Sequence, residues 1–370
     1  MGTYSSDREF LSRSGVDFVE LVSDDGLSRV LLAPSMQGRV LTSSANSLQG
    51  KSHGWINRGA IASSRINPQF NNYGGEERFW LGPEGGLNSW YFAPGSEQTF
   101  PNWKVPSIFD TEAFDLLGAD SKSASFQKDF TLVNAKGVEF SMRMGRKVTL
   151  LEKEALEAIT GPLPGSVSVV AYQSVNSISN LGDAAWTEES GMPSVWMLGM
   201  FKPSETTTVF IPYDSNAEGK IVKDDYFGEM PSDRLSVRDG FVFFKIDGAF
   251  RSKIGIPGGR SLGLVGAFDP EKGLLTILKA DIPAKESLFV NSQWGEQDYA
   301  FGGDALNTYN DGPTEDGTIM GPFFEMESSS PAAALSPGES LAHTQTTIHI
   351  EGSPETLKAV IAAVFGSCPF

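Results

Sequence analysis

The side chains with the clearest chemical potential are two carboxylates near the C-terminal end, Glu325 and Glu327, in the run Phe323-Phe324-Glu325-Met326-Glu327. Two residues apart on an extended chain, they leave the same face, while Phe324 and Met326 turn to the other face and belong to a core. Like charges this close raise the proton affinity of one partner and equip it as a general base; a solvated strand face is the plainer alternative. A second concentration lies in Asn72-Tyr73-Gly74-Gly75-Glu76-Glu77-Arg78-Phe79-Trp80-Leu81-Gly82-Pro83-Glu84-Gly85-Gly86. Sugar sites need this mixture: aromatic rings such as Trp80 that stack on C–H faces, and Glu77, Arg78 and Glu84 to fork onto adjacent hydroxyls. A loop tied by an internal Glu–Arg pair and pinned by Trp80 would have the same composition.

Other motifs carry less. Gly50-Lys51-Ser52-His53-Gly54 has the letters of a nucleophile elbow but not the strand before it and helix after it that the motif requires. The histidines, His53, His343 and His349, show no metal-binding spacing, so neither a metal site nor a cofactor is expected. Asn310 to Gly317 is an acidic turn whose oxygens could hold Ca²⁺; its spacing departs from the EF-hand loop, and a plain polar turn accounts for it. Cys368 stands alone near the C-terminus, which excludes an internal disulfide, and it is read as a bystander.

The elements that must position these groups are mostly strands. Short runs rich in Val, Ile, Phe and Thr, such as 138–144, 167–175, 207–213, 241–246, 261–268, 273–280 and 346–352, alternate with Gly, Pro, Asn and Asp. With no amphipathic helices between them, they predict an all-β fold, a large antiparallel β-sandwich. Two helices are expected: a short polar one over 5–13, and one after Ser353-Pro354-Glu355 with Leu357, Val360, Ile361 and Val364 on its apolar face, stopped by Gly366. The stretch 71–103, dense in glycine and aromatic residues, reads as a long structured surface loop. Length alone would allow two or three domains, but no linker interrupts the chain, so a single domain over 1–370 is expected. The net charge of −17 opposes nucleic acid and anionic membrane surfaces as partners. No apolar run approaches the roughly 18 residues of a span, so membrane insertion is not expected. The N-terminus lacks a signal-peptide core, although an export signal removed ahead of residue 3 is compatible with it.

Four blocks in this order, 28–44, 54–61, 73–86 and 323–352, resemble the galactose mutarotase (aldose 1-epimerase) superfamily, and more closely a branch of it from carbohydrate-degrading gut bacteria. The last block is similar to the family's closing pattern, a carboxylate-bearing strand before a Leu335-Ser336-Pro337-Gly338-Glu339 turn and a final strand. The resemblance implies a mono- or oligosaccharide partner and Glu327 as the base that takes the anomeric proton, with Glu325 the alternative. The family's acid is a histidine on a central strand, and residues 177–201, which correspond to it, contain none. His53 or Glu84 is the replacement considered, with Arg78 and Asn57 orienting hydroxyls. A carbohydrate-binding module that stacks sugar on Trp55, Trp80, Trp90 and Trp294 is the second reading, and a structural or interaction sandwich the third.

Overall fold

Alternation of apolar and polar residues at period two, broken by glycine and proline, makes this chain a strand former almost throughout. The computed structural model describes residues 2–63, 65–228, 230–283, 287–314 and 317–370. The strands are β1 Val19–Val22, β2 Arg29–Ala33, β3 Arg39–Ser44, β4 Arg78–Gly82, β5 Asp115–Ala119, β6 Ser123–Val133, β7 Glu139–Leu150, β8 Ser168–Asn180, β9 Ser194–Phe201, β10 Thr208–Pro212, β11 Leu235–Arg238, β12 Phe241–Lys245, β13 Ser252–Pro257, β14 Leu264–Asp269, β15 Leu274–Ala280, β16 Asp304–Asn310, β17 Phe324–Ser329 and β18 Ser340–Glu351. The helices are α1 Tyr4–Arg13, α2 Arg58–Ala62, α3 Ser107–Asp110, α4 Lys153–Thr160 and α5 Pro354–Phe365.

The strands build a three-stranded sheet β1-β2-β3, a ten-stranded sheet β11-β12-β10-β14-β15-β18-β8-β7-β6-β5 and a five-stranded sheet β13-β16-β17-β9-β4. Neighbours within the sheets run antiparallel, as in the β17–β9 register Glu325↔Met200 and Glu327↔Leu198. This is the large antiparallel β-sandwich with a short C-terminal helix expected from the sequence.

One face of the five-stranded sheet packs on the ten-stranded sheet. Phe79, Leu81 and Met197 meet Met142, Met144 and Ile178, and Ile254, Ile256, Phe324 and Met326 meet Val209, Val265 and Leu278. The ten-stranded sheet is also covered on its far side, where Leu357, Val360 and Ile361 of α5 and Leu156 of α4 close over Ile277, Ile348 and Ile350. Burial on both faces explains why strands such as 273–280 read as nearly continuous apolar runs. The stretch 71–103 is a surface loop only in part, with residues 93–102 largely exposed. Residues 78–82 form a strand, and Trp80, Trp90, Tyr91, Phe92 and Trp103 are buried, because their rings pack on one another and on the sandwich core.

Candidate functional site

The other face of the five-stranded sheet carries the polar chemistry. Period-two alternation sends Phe79, Met197, Ile254 and Met326 into the core, and so sends Arg78 and Trp80 of β4, Trp196, Leu198 and Met200 of β9, Glu325 and Glu327 of β17, Tyr309 of β16 and Lys253 of β13 outward. The register sets Arg78 opposite Leu198, Leu198 opposite Glu327, and Tyr309 between Glu325 and Lys253. Above this floor lies a cavity of about 530 Å³, walled by Phe70, Glu84, Trp103, Tyr226, Trp294 and Phe323 among others. Phe100, 52% exposed, stands at its rim.

The charges of the floor are paired. Arg78 Nη2 donates to Glu325 Oε1 at 2.6 Å, and the Arg78 guanidinium lies 4.4 Å from the Trp80 ring centre. Lys253 Nζ donates to Glu327 Oε2 at 3.0 Å, and Trp196 Nε1 donates to the same oxygen at 2.8 Å. Glu327 Oε1 is buried and has no hydrogen-bond partner among the described residues. Burial pushes Glu325 up to about 7: Arg78 opposes the rise and the neighbouring Glu327 adds to it. Burial also raises Glu84, with Lys253 opposing and Glu327 adding. For Lys253, burial alone would lower the ammonium, but Glu327, Glu84 and Glu325 outweigh it and hold the proton more tightly than usual. The floor thus holds a carboxyl poised near neutrality (Glu325), a carboxylate with one free oxygen (Glu327) and two fixed cations, and the wall adds a carboxyl that keeps its proton more readily than usual (Glu84).

Local structure explains how Glu84 arrives there. Gly85 passes so close to Gln293 that a Cβ would stand 2.2 Å from its carbonyl oxygen, and the Glu84 amide donates to Ser292 Oγ at 3.1 Å. The 83–86 turn is therefore docked onto the segment that carries Trp294, and only glycine fits the contact.

The family model for a family of unknown function, DUF6786, matches residues 2–368. The chain belongs to the DUF6786 family. No curated protein matches it. Among solved structures, the Slr1438 protein from Synechocystis sp. PCC 6803 is 14% identical, with a TM-score of 0.52, covering 91% of this chain and 96% of its own. The "Putative aldose 1-epimerase" from Escherichia coli K12 is 12% identical, with a TM-score of 0.50, covering 91% of this chain and all of its own. At such identities the likeness concerns the fold, and the DUF6786 protein has the galactose mutarotase-like sandwich.

Of the residues singled out in the sequence, the structure of the DUF6786 protein brings Arg78, Trp80, Glu84, Trp294 and Glu325 to the cavity, whereas Glu327 is bonded to the lining Lys253 and does not itself line the space. Residues 78–82 lie in the floor, paired with β9. Glu77 faces the opposite way from Arg78, as alternation requires, and is buried between the sheets, where Arg146 donates to it at 2.6 Å and Gln345 at 2.7 Å. Asn57 caps α2 by accepting from the Ala60 amide at 3.0 Å. His53 is buried outside the cavity, stacked 4.3 Å from His349 with Nε2 3.3 Å from Glu351; burial first, then His349, lowers it to about 4. His349 reaches Glu76 at 3.0 Å, and His343 lies beside Ser328 at 2.7 Å.

Trp90 packs on Phe140, and Trp55 sits behind Phe323. Ser52 of the elbow-like motif is buried between Thr42 and Asp7. In the acidic turn, Asp311 accepts from Tyr309 at 2.6 Å and from the Gly321 amide at 2.9 Å, while Glu315 and Asp316 lie outside the described residues. Sequence reasoning missed Lys253, Trp196, Tyr226, Arg251 and Tyr309. For Lys253 the signal was present: in Ser252-Lys253-Ile254-Gly255-Ile256 the isoleucines mark the core face and leave the lysine on the other.

Proposed function

We propose that the DUF6786 protein binds a saccharide in this cavity and that its carboxyl groups move protons at the anomeric centre, as in a 1-epimerisation. The observation that carries the reading is the convergence of Glu84, Glu325, Arg78 and Lys253 with Trp80, Trp103 and Trp294 around one space of small-molecule size, with Glu327 bonded to the lining Lys253. Glu327, through its free oxygen, or Glu325 takes the proton of the anomeric hydroxyl, and Glu84, whose proton affinity burial raises, gives one to the ring oxygen as the C1–O5 bond breaks. Rotation about C1–C2 and the reverse transfers close the other anomer. Arg78 and Lys253 hold the carboxylates in place, and the indoles stack on the sugar face. The description "Putative aldose 1-epimerase" borne by the Escherichia coli protein of the same fold supports this direction.

Polarimetry tests the reaction: freshly dissolved aldoses should relax faster with protein than in buffer alone. A second reading, sugar binding without chemistry, is favoured by one observation, that both candidate bases are engaged in ion pairs. Buffer-like relaxation across a broad aldose panel, together with saturable quenching of Trp fluorescence by a saccharide, would select it. Neither effect with any saccharide would reject both.

A further inference from the structure

Arg251 is a cation of the cavity that forms no ion pair among the described residues, although its charge is felt by the Asp311 carboxyl. Arg78 is held by Glu325 and Lys253 by Glu327, whereas Arg251 lies in no ion pair among the described residues, although it lines the same space. Asp225 and Glu296 also line the cavity; Asp225 pairs instead with Lys220 at 3.8 Å, and Glu296 lies outside ion-pair distance of Arg251. The guanidinium is nevertheless fixed. Its carbon lies 4.2 Å from the Phe227 ring centre, and Nε donates to Tyr309 Oη at 3.2 Å, while the Tyr309 hydroxyl itself donates to Asp311 at 2.6 Å. With Nε spent on the wall, the two terminal nitrogens form a planar donor fork that no carboxylate among the described residues fills. A pinned arginine of this kind matches an oxyanion through two parallel hydrogen bonds, and its entropy cost is already met by the packing. Arg251 immediately precedes β13, two residues before Lys253, which pairs with Tyr309, and both cations line the same cavity as Glu325.

We infer that the saccharide taken by this cavity carries an anionic substituent, a carboxylate or a sulfate or phosphate ester, and that Arg251 receives it. This rests on the saccharide reading above and narrows it to a substrate class. The net charge of −17 works against anions at long range, which leaves the specific fork, not the overall field, to select them.

Trp fluorescence titrations of the full chain with galactose and glucose, their uronic acids and their 6-sulfates and 6-phosphates provide the test. The anionic member of a pair should bind about tenfold or more tighter than its neutral parent, a reasonable yield for a charge-assisted bidentate contact. Whichever series shows the preference, uronic or ester, identifies the oxyanion. In Arg251→Ala the anionic-to-neutral ratio should fall to about one. In Arg251→Lys, which keeps the charge and loses the fork, it should be intermediate. Equal binding of neutral and anionic sugars by the native chain, or a preference that survives Arg251→Ala, overturns the inference and leaves the saccharide site standing. Failure of every sugar to bind overturns both.

Discussion

Lys253 is the residue on which the candidate site turns. An ammonium buried at this depth is stable only because Glu327 touches it and Glu84 and Glu325 add to the field. Removing one partner of such a pair leaves the other uncompensated, at a cost of about 3–5 kcal/mol, whereas replacing both with apolar groups can be neutral. Glu327→Gln should therefore unfold at clearly lower denaturant, and the double replacement Glu327→Leu with Lys253→Met should recover most of the loss. Sugar turnover or binding should be lost in both, which separates the pair's role at the site from its role in folding. On a solvated strand face, the plainer alternative in the sequence, Glu327 would change at little structural cost; the buried Lys253 bonded to it removes that alternative. Glu325 gives a second test. Its proton affinity is raised in the folded state, from about 4.5 to about 7, so the folded chain binds more protons than the unfolded one between these values. Its contribution to stability is present below pH 4.5 and lost as pH rises through 7. Relative to the native chain, the denaturant midpoint of Glu325→Gln should therefore rise as pH increases from about 4.5 to about 7.

At the scale of elements, the strands that make the floor were the hardest to see. Helix α5 was legible from end to end: Ser353 Oγ accepts from the Thr356 amide at 3.2 Å, and Gly366 closes the helix at φ 78°. Both are backbone requirements that particular side chains advertise. Strands 273–280 and 346–352 were legible because both their faces are buried. By contrast β16, Asp-Ala-Leu-Asn-Thr-Tyr-Asn, is buried throughout yet mostly polar, with Tyr309 lining the cavity and the other polar groups bonded to distant segments, so its pattern carries no strong apolar period. Helix α4 was missed, with no cap residue at Glu152 to mark it. The floor also depends on one close approach. A Cβ at Gly199 of β9 would stand 2.3 Å from the Glu76 carbonyl oxygen, where the chain turns into β4. Gly199→Ala must push β4 away from β9, an overpacking cost of about 1–3 kcal/mol. Because Arg78 begins β4, the same change should also weaken saccharide binding, whereas Ser353→Ala, remote on α5, should cost about 1 kcal/mol and leave binding as it is. Thermal unfolding and fluorescence titration of the two variants together check this; equal effects on binding would refute it.

Across the whole molecule, the sandwich encloses a polar layer as well as an apolar one. Glu76, Glu77, Arg146, Gln345, His349, His53 and His343 lie buried between the sheets, with carboxylates paired to Arg146 and His349. Such a layer tolerates neutral pH and is vulnerable to acid, because His53 and His343 are both lowered by burial to about 4. In the unfolded chain each would take up its proton near 6.5, so between 6.5 and 4 the unfolded state binds more protons than the folded one. Their contribution to stability is full above pH 6.5 and is lost as pH falls toward 4. This runs opposite to the Glu325 effect, so their joint signature is a stability maximum at intermediate pH. Glu351 beside His53 would favour the charged ring, but the stacked His349 and the loss of water outweigh it. His343 has burial as its sole cause, which makes it the cleaner probe. His343→Gln keeps a polar group within reach of Ser328 while removing one titrating site, so its denaturant midpoint should decline less between about pH 6.5 and 4.5 than that of the native chain. Parallel declines in the two proteins would mean that acid sensitivity arises elsewhere in the buried layer.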